Sequence, residues 1–160
     1  MAKKVKIKKT LVEQILTKAG IEHTGIQINA LEGELPSEYD RTHIFKTLAL
    51  LGDKTGPIIG IVPITEHLAE KKLARVSGNK KVSMIPQKDL EKTTGYVHGA
   101  NNPVGIRQKH NYPIFLDKTA LDLDQMIVSA GEVGHSIIIR PQDLASFVKA
   151  DFADILEESK

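Results

Sequence analysis

One cation, Lys46, interrupts an otherwise apolar run, Ile44-Phe-Lys-Thr-Leu-Ala-Leu-Leu51, and is the residue whose type and setting point most directly to chemistry. Strand alternation puts Lys46 on one face with Ile44, Leu48 and Leu50. Its ammonium must then snorkel out at a sheet edge or end in a pocket, where burial is costly unless an anion is present. Two readings follow: an edge lysine that discourages aggregation, or a site lysine that meets an anionic or oxyanionic group. A second feature is Gly95-Tyr-Val-His-Gly-Ala-Asn-Asn-Pro-Val-Gly105, which has three glycines, a proline, two asparagines and no apolar period. Such a segment lets backbone N–H groups approach a ligand closely, or is simply a turn. It is neither a Walker loop nor a dinucleotide fingerprint, because no Gly-Lys-Ser/Thr or Gly-x-Gly-x-x-Gly pattern occurs in it.

Other reactive types are not arranged for catalysis. The six histidines lack metal-ligand spacing, so His43, His98 and His135 read as surface, core or loop residues. Ser129, in Ile-Val-Ser-Ala-Gly, lacks the first glycine of a nucleophile elbow. Nothing singles out Glu132 or Asp143 as a general base. The absence of cysteine rules out a disulfide framework, a thiolate metal site and an enzyme-borne sulfur nucleophile. No metal and no cofactor are expected.

The elements that must position these residues are signposted in the sequence. Thr10 and Glu13 form a capping box for a helix over 11–19, with Leu11, Val12, Ile15, Leu16 and Ala19 on one face and Gly20 as its stop. A strand is expected from Ile21 to Ile28, then a loop through the acidic stretch 31–40. His43–Leu51 and Pro57–Val62 should pair as an antiparallel hairpin across Gly52-Asp-Lys-Thr-Gly56. Thr65 can cap a helix running to Val76. A short strand Val82–Ile85 precedes a helix over 87–93 entered through Pro86. Residues 95–105 are expected to be irregular. Short strands follow at Pro113–Leu116, Met126–Ser129 and His135–Arg140, then a helix over 141–150. This order has no regular βαβ rhythm, which argues for an α+β domain, a mixed sheet with helices packed on it. At 160 residues and 41% hydrophobic content, one domain over 1–160 is expected.

Charge is segregated along the chain although the net value is only +2. Residues 1–10 hold five lysines and no acid, and 71–109 hold nine basic residues against two acidic. Each of the other two stretches, 11–70 and 110–160, holds four basic against nine acidic. A face carrying Lys71, Lys72, Arg75, Lys80, Lys81 and Lys88 suits a polyanion such as a nucleic acid, although charge runs also occur as solvated faces. Aromatic residues make up only 4%, too few for a base-stacking platform. No secretory signal or membrane-spanning run occurs, so a soluble, cytoplasmic protein with no membrane partner is expected.

Taken in order, Phe45-Lys46-Thr47, then Thr94-Gly95-Tyr96 with Gly99, Pro103 and Gly105, then Val128-Ser129-Ala130-Gly131, resemble the YbaK/EbsC family. These are bacterial Cys-tRNA(Pro) deacylases related to the editing domain inserted in prolyl-tRNA synthetase. The resemblance spans nearly the whole chain and implies a mixed, curled, barrel-like sheet flanked by helices. It implies that Lys46 lies in the editing pocket, and that backbone N–H groups at Gly99 and Ala100 stabilise charge on the ester. Phe45, Thr47, Tyr96, His98, Asn101, Asn102, Pro103, Gly105, Ser129 and Gly131 would then surround the substrate. The implied substrate is tRNA(Pro) charged with cysteine, whose own thiol attacks its ester, with prolyl-tRNA synthetase as a transient partner. Many relatives read Gly-Gly-x-Ser-Pro where this chain has Gly99-Ala-Asn-Asn-Pro103, and a sister group removes alanine. Selectivity between cysteine and alanine is left open, as is a non-catalytic RNA-binding or regulatory module or a small-anion binder using the same residues.

Overall fold

The computed structural model describes residues 9–27 and 40–158. Its first element is α1, Leu11–Lys18, and the capping box is formed: Glu13 N donates to Thr10 Oγ1 and Thr10 N to Glu13 Oε2. The strand β1 covers His23–Ile26, shorter than the expected Ile21–Ile28; Ile28 and the acidic loop up to residue 39 lie outside the described residues. The central hairpin is formed by β2, Phe45–Gly52, and β3, Gly56–Pro63, antiparallel and in register from Phe45 opposite Pro63 to Gly52 opposite Gly56. Apolar residues fill both strands because both sheet faces are covered.

Helix α2 runs Glu70–Ser77, not from Thr65 as its hydroxyl suggested. Tertiary pairing overrides the cap: Leu68 bridges Leu156, Ala69 N donates to Ile155 O, and Glu157 N donates to His67 O, which holds 67–69 extended. Next come β4, Val82–Met84, and α3, Gln87–Thr94, with Pro86 just before it. The stretch expected to be irregular ends in a further helix, α4, Pro103–Lys109. Asn102 caps it through Oδ1, which accepts from Gly105 N at 2.6 Å, and Pro103 occupies the first turn. Strands β5 (Ile114–Asp117), β6 (Met126–Ser129) and β7 (Ser136–Ile139) follow, then α5 (Pro141–Val148) and β8 (Asp151–Ala153).

The strands do not form one curled, barrel-like sheet. They divide into a five-stranded mixed sheet, β4-β2-β3-β5-β8, and a three-stranded antiparallel sheet, β1-β7-β6. The two meet through an isolated parallel bridge, Ile44 to Ile127, so the ladder does not continue from β2 into β6. The main core, including Val12, Leu16, Phe45, Ile59, Ile61, Val104, Leu116, Met126, Ile137 and Leu144, gathers α1, α4 and α5 with both sheets. A second cluster, Leu50, Ile58, Val62, Leu73, Phe115 and Ile155, packs the opposite face of the larger sheet against α2.

Candidate functional site

The gap between the two sheets holds a cavity of ≈ 280 Å³. Its wall is Ile44 and β2 up to Ala49, with Met84 at the end of β4, Ile85 after it, Gln87 and Leu90 of α3, and His98, Gly99 and Asn101 of the glycine-rich segment. Val128 and Ser129 of β6, with Gly134, His135 and Ser136 of the turn into β7, close the opposite side. Residues far apart in sequence converge here because β2 is flanked by β4 at one end and touches β6 at the other.

Lys46 lines this cavity half-buried, and no carboxylate pairs with it among the described residues. Burial lowers its pKa from the ordinary lysine value by disfavouring the charged form. An unpaired, partly desolvated ammonium in a largely apolar pocket is an electrostatic receptor for an anion or a developing oxyanion.

Phe45, Thr47, His98, Gly99, Asn101 and Ser129 reach the cavity alongside it. Gly99 has φ 90°, a left-handed backbone that glycine adopts without strain, and its C=O accepts from Ser129 Oγ at 3.5 Å. Its N–H meets no acceptor among the described residues, whereas the N–H of Ala100 is taken by Val97 O at 3.0 Å. Of the two backbone donors expected, Gly99 is therefore the one at the cavity with its hydrogen unused. Asn101 Oδ1 accepts from Thr94 Oγ1 at 2.7 Å, which fixes this amide at the cavity wall.

The remaining expected residues stand behind the wall. Asn102 and Pro103 are buried in the start of α4. Tyr96 packs over Gly105 and near Gly131, so closely that a Cβ on Gly105 would strike its hydroxyl, and Lys109 Nζ sits 4.4 Å from its ring centroid. Gly131, at φ 94°, turns the chain after β6 and donates its N–H to Ser129 Oγ at 3.2 Å, orienting that hydroxyl. These residues shape the site without lining it.

His135 and Gln87 line the cavity although sequence reasoning did not place them there. The turn Ala130–His135, closed by Ala130 N to His135 O, carries the histidine back to the pocket, and Pro86 sets Gln87 in the first turn of α3. The turn glycines Gly131 and Gly134 and the Pro-Gln step were the available signals. Among the described residues no three histidine or carboxylate side chains converge as a metal site.

On the surface, Lys71, Arg75, Lys80, Lys81 and Lys88 are exposed. Lys72 differs, because its Nζ lies 3.2 Å from Asp154 Oδ1 and 4.0 Å from Glu158 Oε1.

A two-sheet α+β fold with one lysine in an inter-sheet cavity defines a small-ligand pocket. The family model of the aminoacyl-tRNA editing domain matches residues 34–147. A protein of Enterococcus faecalis, provisionally named Cys-tRNA(Pro)/Cys-tRNA(Cys) deacylase EbsC, is 36% identical over 162 residues, 97% of this chain and 98% of the relative. The chain belongs to the aminoacyl-tRNA editing-domain family. Among solved structures, a hypothetical protein superposes with TM-score 0.81 at 20% identity, over 91% of this chain and 99% of that one. A candidate trans-editing enzyme for prolyl tRNA synthetase gives 0.76 at 22% identity, over 92% and 95%. At such identities these structures speak for the fold. No helix among the described residues is long and apolar enough to cross a membrane.

Proposed function

We propose that this chain is a trans-editing deacylase that removes cysteine mischarged on tRNA(Pro), acting as one domain in the cytoplasm, where tRNA is charged. The observation that carries the reading is that the unpaired Lys46 amine and Gly99, with its N–H unused, line one cavity sized for a small aminoacyl end. A synthetase active site separates side chains of similar size by only about 10- to 200-fold, so a second pocket is needed to clear errors. In this one, Lys46 and Gly99 hold the ester oxygens where negative charge develops, supplying electrostatic stabilisation and position. The substrate's own thiol supplies the nucleophile: a sulfur–carbonyl bond forms, the ester C–O bond breaks, and the thiol proton passes to the departing ribose oxygen. The protein needs no cysteine for this step, and it has none.

The exposed basic residues of α2, of the Lys80–Lys81 step before β4 and of α3 would meet tRNA phosphates, with prolyl-tRNA synthetase handing over the substrate. The test is release of labelled cysteine, alanine and proline from tRNA(Pro), and of cysteine from tRNA(Cys). Faster release of cysteine than of proline is expected. Release of alanine in its place would reassign the side-chain specificity, and no release above the buffer rate would overturn the enzyme reading.

A further inference from the structure

The cavity runs along a break in the hydrogen-bonded edge of β2. Ile44 O accepts from Ile64 N at 2.9 Å, so even-numbered residues of the strand turn their main-chain groups toward β3. Ala49 O accepts from Ile85 N at 3.2 Å and Leu51 lies opposite Ser83 of β4, so odd-numbered residues face the other side. On that side β4 pairs only with Leu50–Gly52, and β6, though it runs close to β2, pairs with the chain only through the Ile44–Ile127 bridge. Thr47 stands in the middle of the break, on the cavity wall. Its main-chain N–H and C=O lie on the side away from β3, outside the β4 ladder and the Ile44–Ile127 bridge, and its buried Oγ1 has no hydrogen-bond partner. Buried polar atoms are nearly always paired, and an orphan is destabilising, which points to a partner outside the chain.

We propose that Thr47 is the receptor for the α-amino group of the aminoacyl moiety, and so a specificity-determining residue. This rests on the editing reading. The open edge takes the amino acid as a strand one residue long, with the α-ammonium donating to the oxygens of Thr47. Lys46, whose side chain leaves the opposite face of β2, serves the ester end. The division has a functional consequence: the site accepts aminoacyl esters with a free amine and rejects N-blocked ones, such as peptidyl esters, whatever the side chain.

The test compares full-length wild type, Thr47→Val and Thr47→Ser on Cys-tRNA(Pro) and N-acetyl-Cys-tRNA(Pro). Wild type should favour the free amine, and Thr47→Val should lose roughly 10- to 100-fold in kcat/KM on it, mainly through KM. The N-acetyl substrate should be cleaved alike by wild type and Thr47→Val, and Thr47→Ser should restore most of the preference. The melting temperature of Thr47→Val should not fall, since valine removes an unpaired hydroxyl at constant shape. Wild-type kcat/KM in Thr47→Val, or equal losses on both substrates, would overturn the proposal. If wild type cleaves neither ester, the editing reading fails separately, and calorimetry with amide-linked 3′-cysteinylamino-adenosine then decides on Thr47. Weaker binding by Thr47→Val supports it; equal or undetectable binding by both proteins overturns it.

Discussion

The charge on Lys46 is maintained against a desolvation cost that no carboxylate among the described residues offsets. A side chain held that way for stability would be a poor choice, so its removal should separate function from folding. Lys46→Ala is expected to slow single-turnover release of cysteine by roughly two to three powers of ten, the loss typical of one missing oxyanion donor. Its melting temperature should stay close to that of wild type, because the lost contacts are accompanied by relief of the buried charge. Lys46→Arg should recover little, since a planar guanidinium does not replace a compact ammonium in a small pocket. The lowered pKa also fixes a sign. The ammonium is the useful form, so the rate should fall as pH rises through the lowered value, below the ordinary lysine range. The same shift makes the unfolded chain bind more protons between the lowered value and about 10.4, so the residue's contribution to stability rises with pH there. A Lys46→Ala enzyme that edits at the wild-type rate would move the catalytic donor to Gly99 and its neighbours.

The elements behind the wall act by position. Helix α4 begins at the cavity because Asn102 caps it and Pro103 fills its first turn, and the preceding Gly99–Asn101 is thereby aimed at β2. Asn102→Ala removes the acceptor of Gly105 N and the donor to Ala100 O at 3.1 Å, both buried. A loss of about 1–2 kcal/mol is expected, read as a lower denaturant midpoint, with editing falling as the segment loosens. An unchanged midpoint would mean that core packing alone holds α4. The Asn-Pro step is a legible N-terminal signal, but three glycines before it made the whole stretch look irregular. The opposite error occurred at Thr65, where a good cap residue is overruled by the pairing of 67–69 with the C-terminal segment. Local propensity could not register a partner some ninety residues away in the chain (Leu68 with Leu156).

At the scale of the molecule, the basic block of 71–109 supplies exposed cations from consecutive parts of the chain: Lys71 and Arg75 on α2, Lys80 and Lys81 just before β4, and Lys88 on α3. Reversing Lys71, Arg75 and Lys88 together should raise the KM for charged tRNA and flatten its dependence on salt, while turnover at saturation is nearly kept. Lys72→Gln should do much less. Its ammonium already faces Asp154, and that hydrogen bond is the largest influence holding the Asp154 carboxyl below its ordinary pKa. An effect of Lys72→Gln as large as that of Lys71→Gln, measured at one moderate salt concentration, would mean that these residues act only through net charge.

What the sequence determined alone was local or periodic. The capping box of α1, the β2–β3 hairpin, the strand at Met126–Ser129 and the anomaly of a lysine in an apolar strand all follow from neighbours within a few residues. The motif residues around Lys46, Gly99 and Ser129 were likewise readable as a set. Tertiary structure decided which of them face the ligand. It split the strands into two sheets, left Phe45–Leu48 outside any continuous strand ladder on one side, and so made a cavity rather than a closed barrel wall. It also brought His135 and Gln87 to that cavity and sent Tyr96, Asn102 and Gly131 behind it. Whether a strand edge is paired depends on where distant chain segments run, and alternation along β2 is the same whether its edge is covered or open.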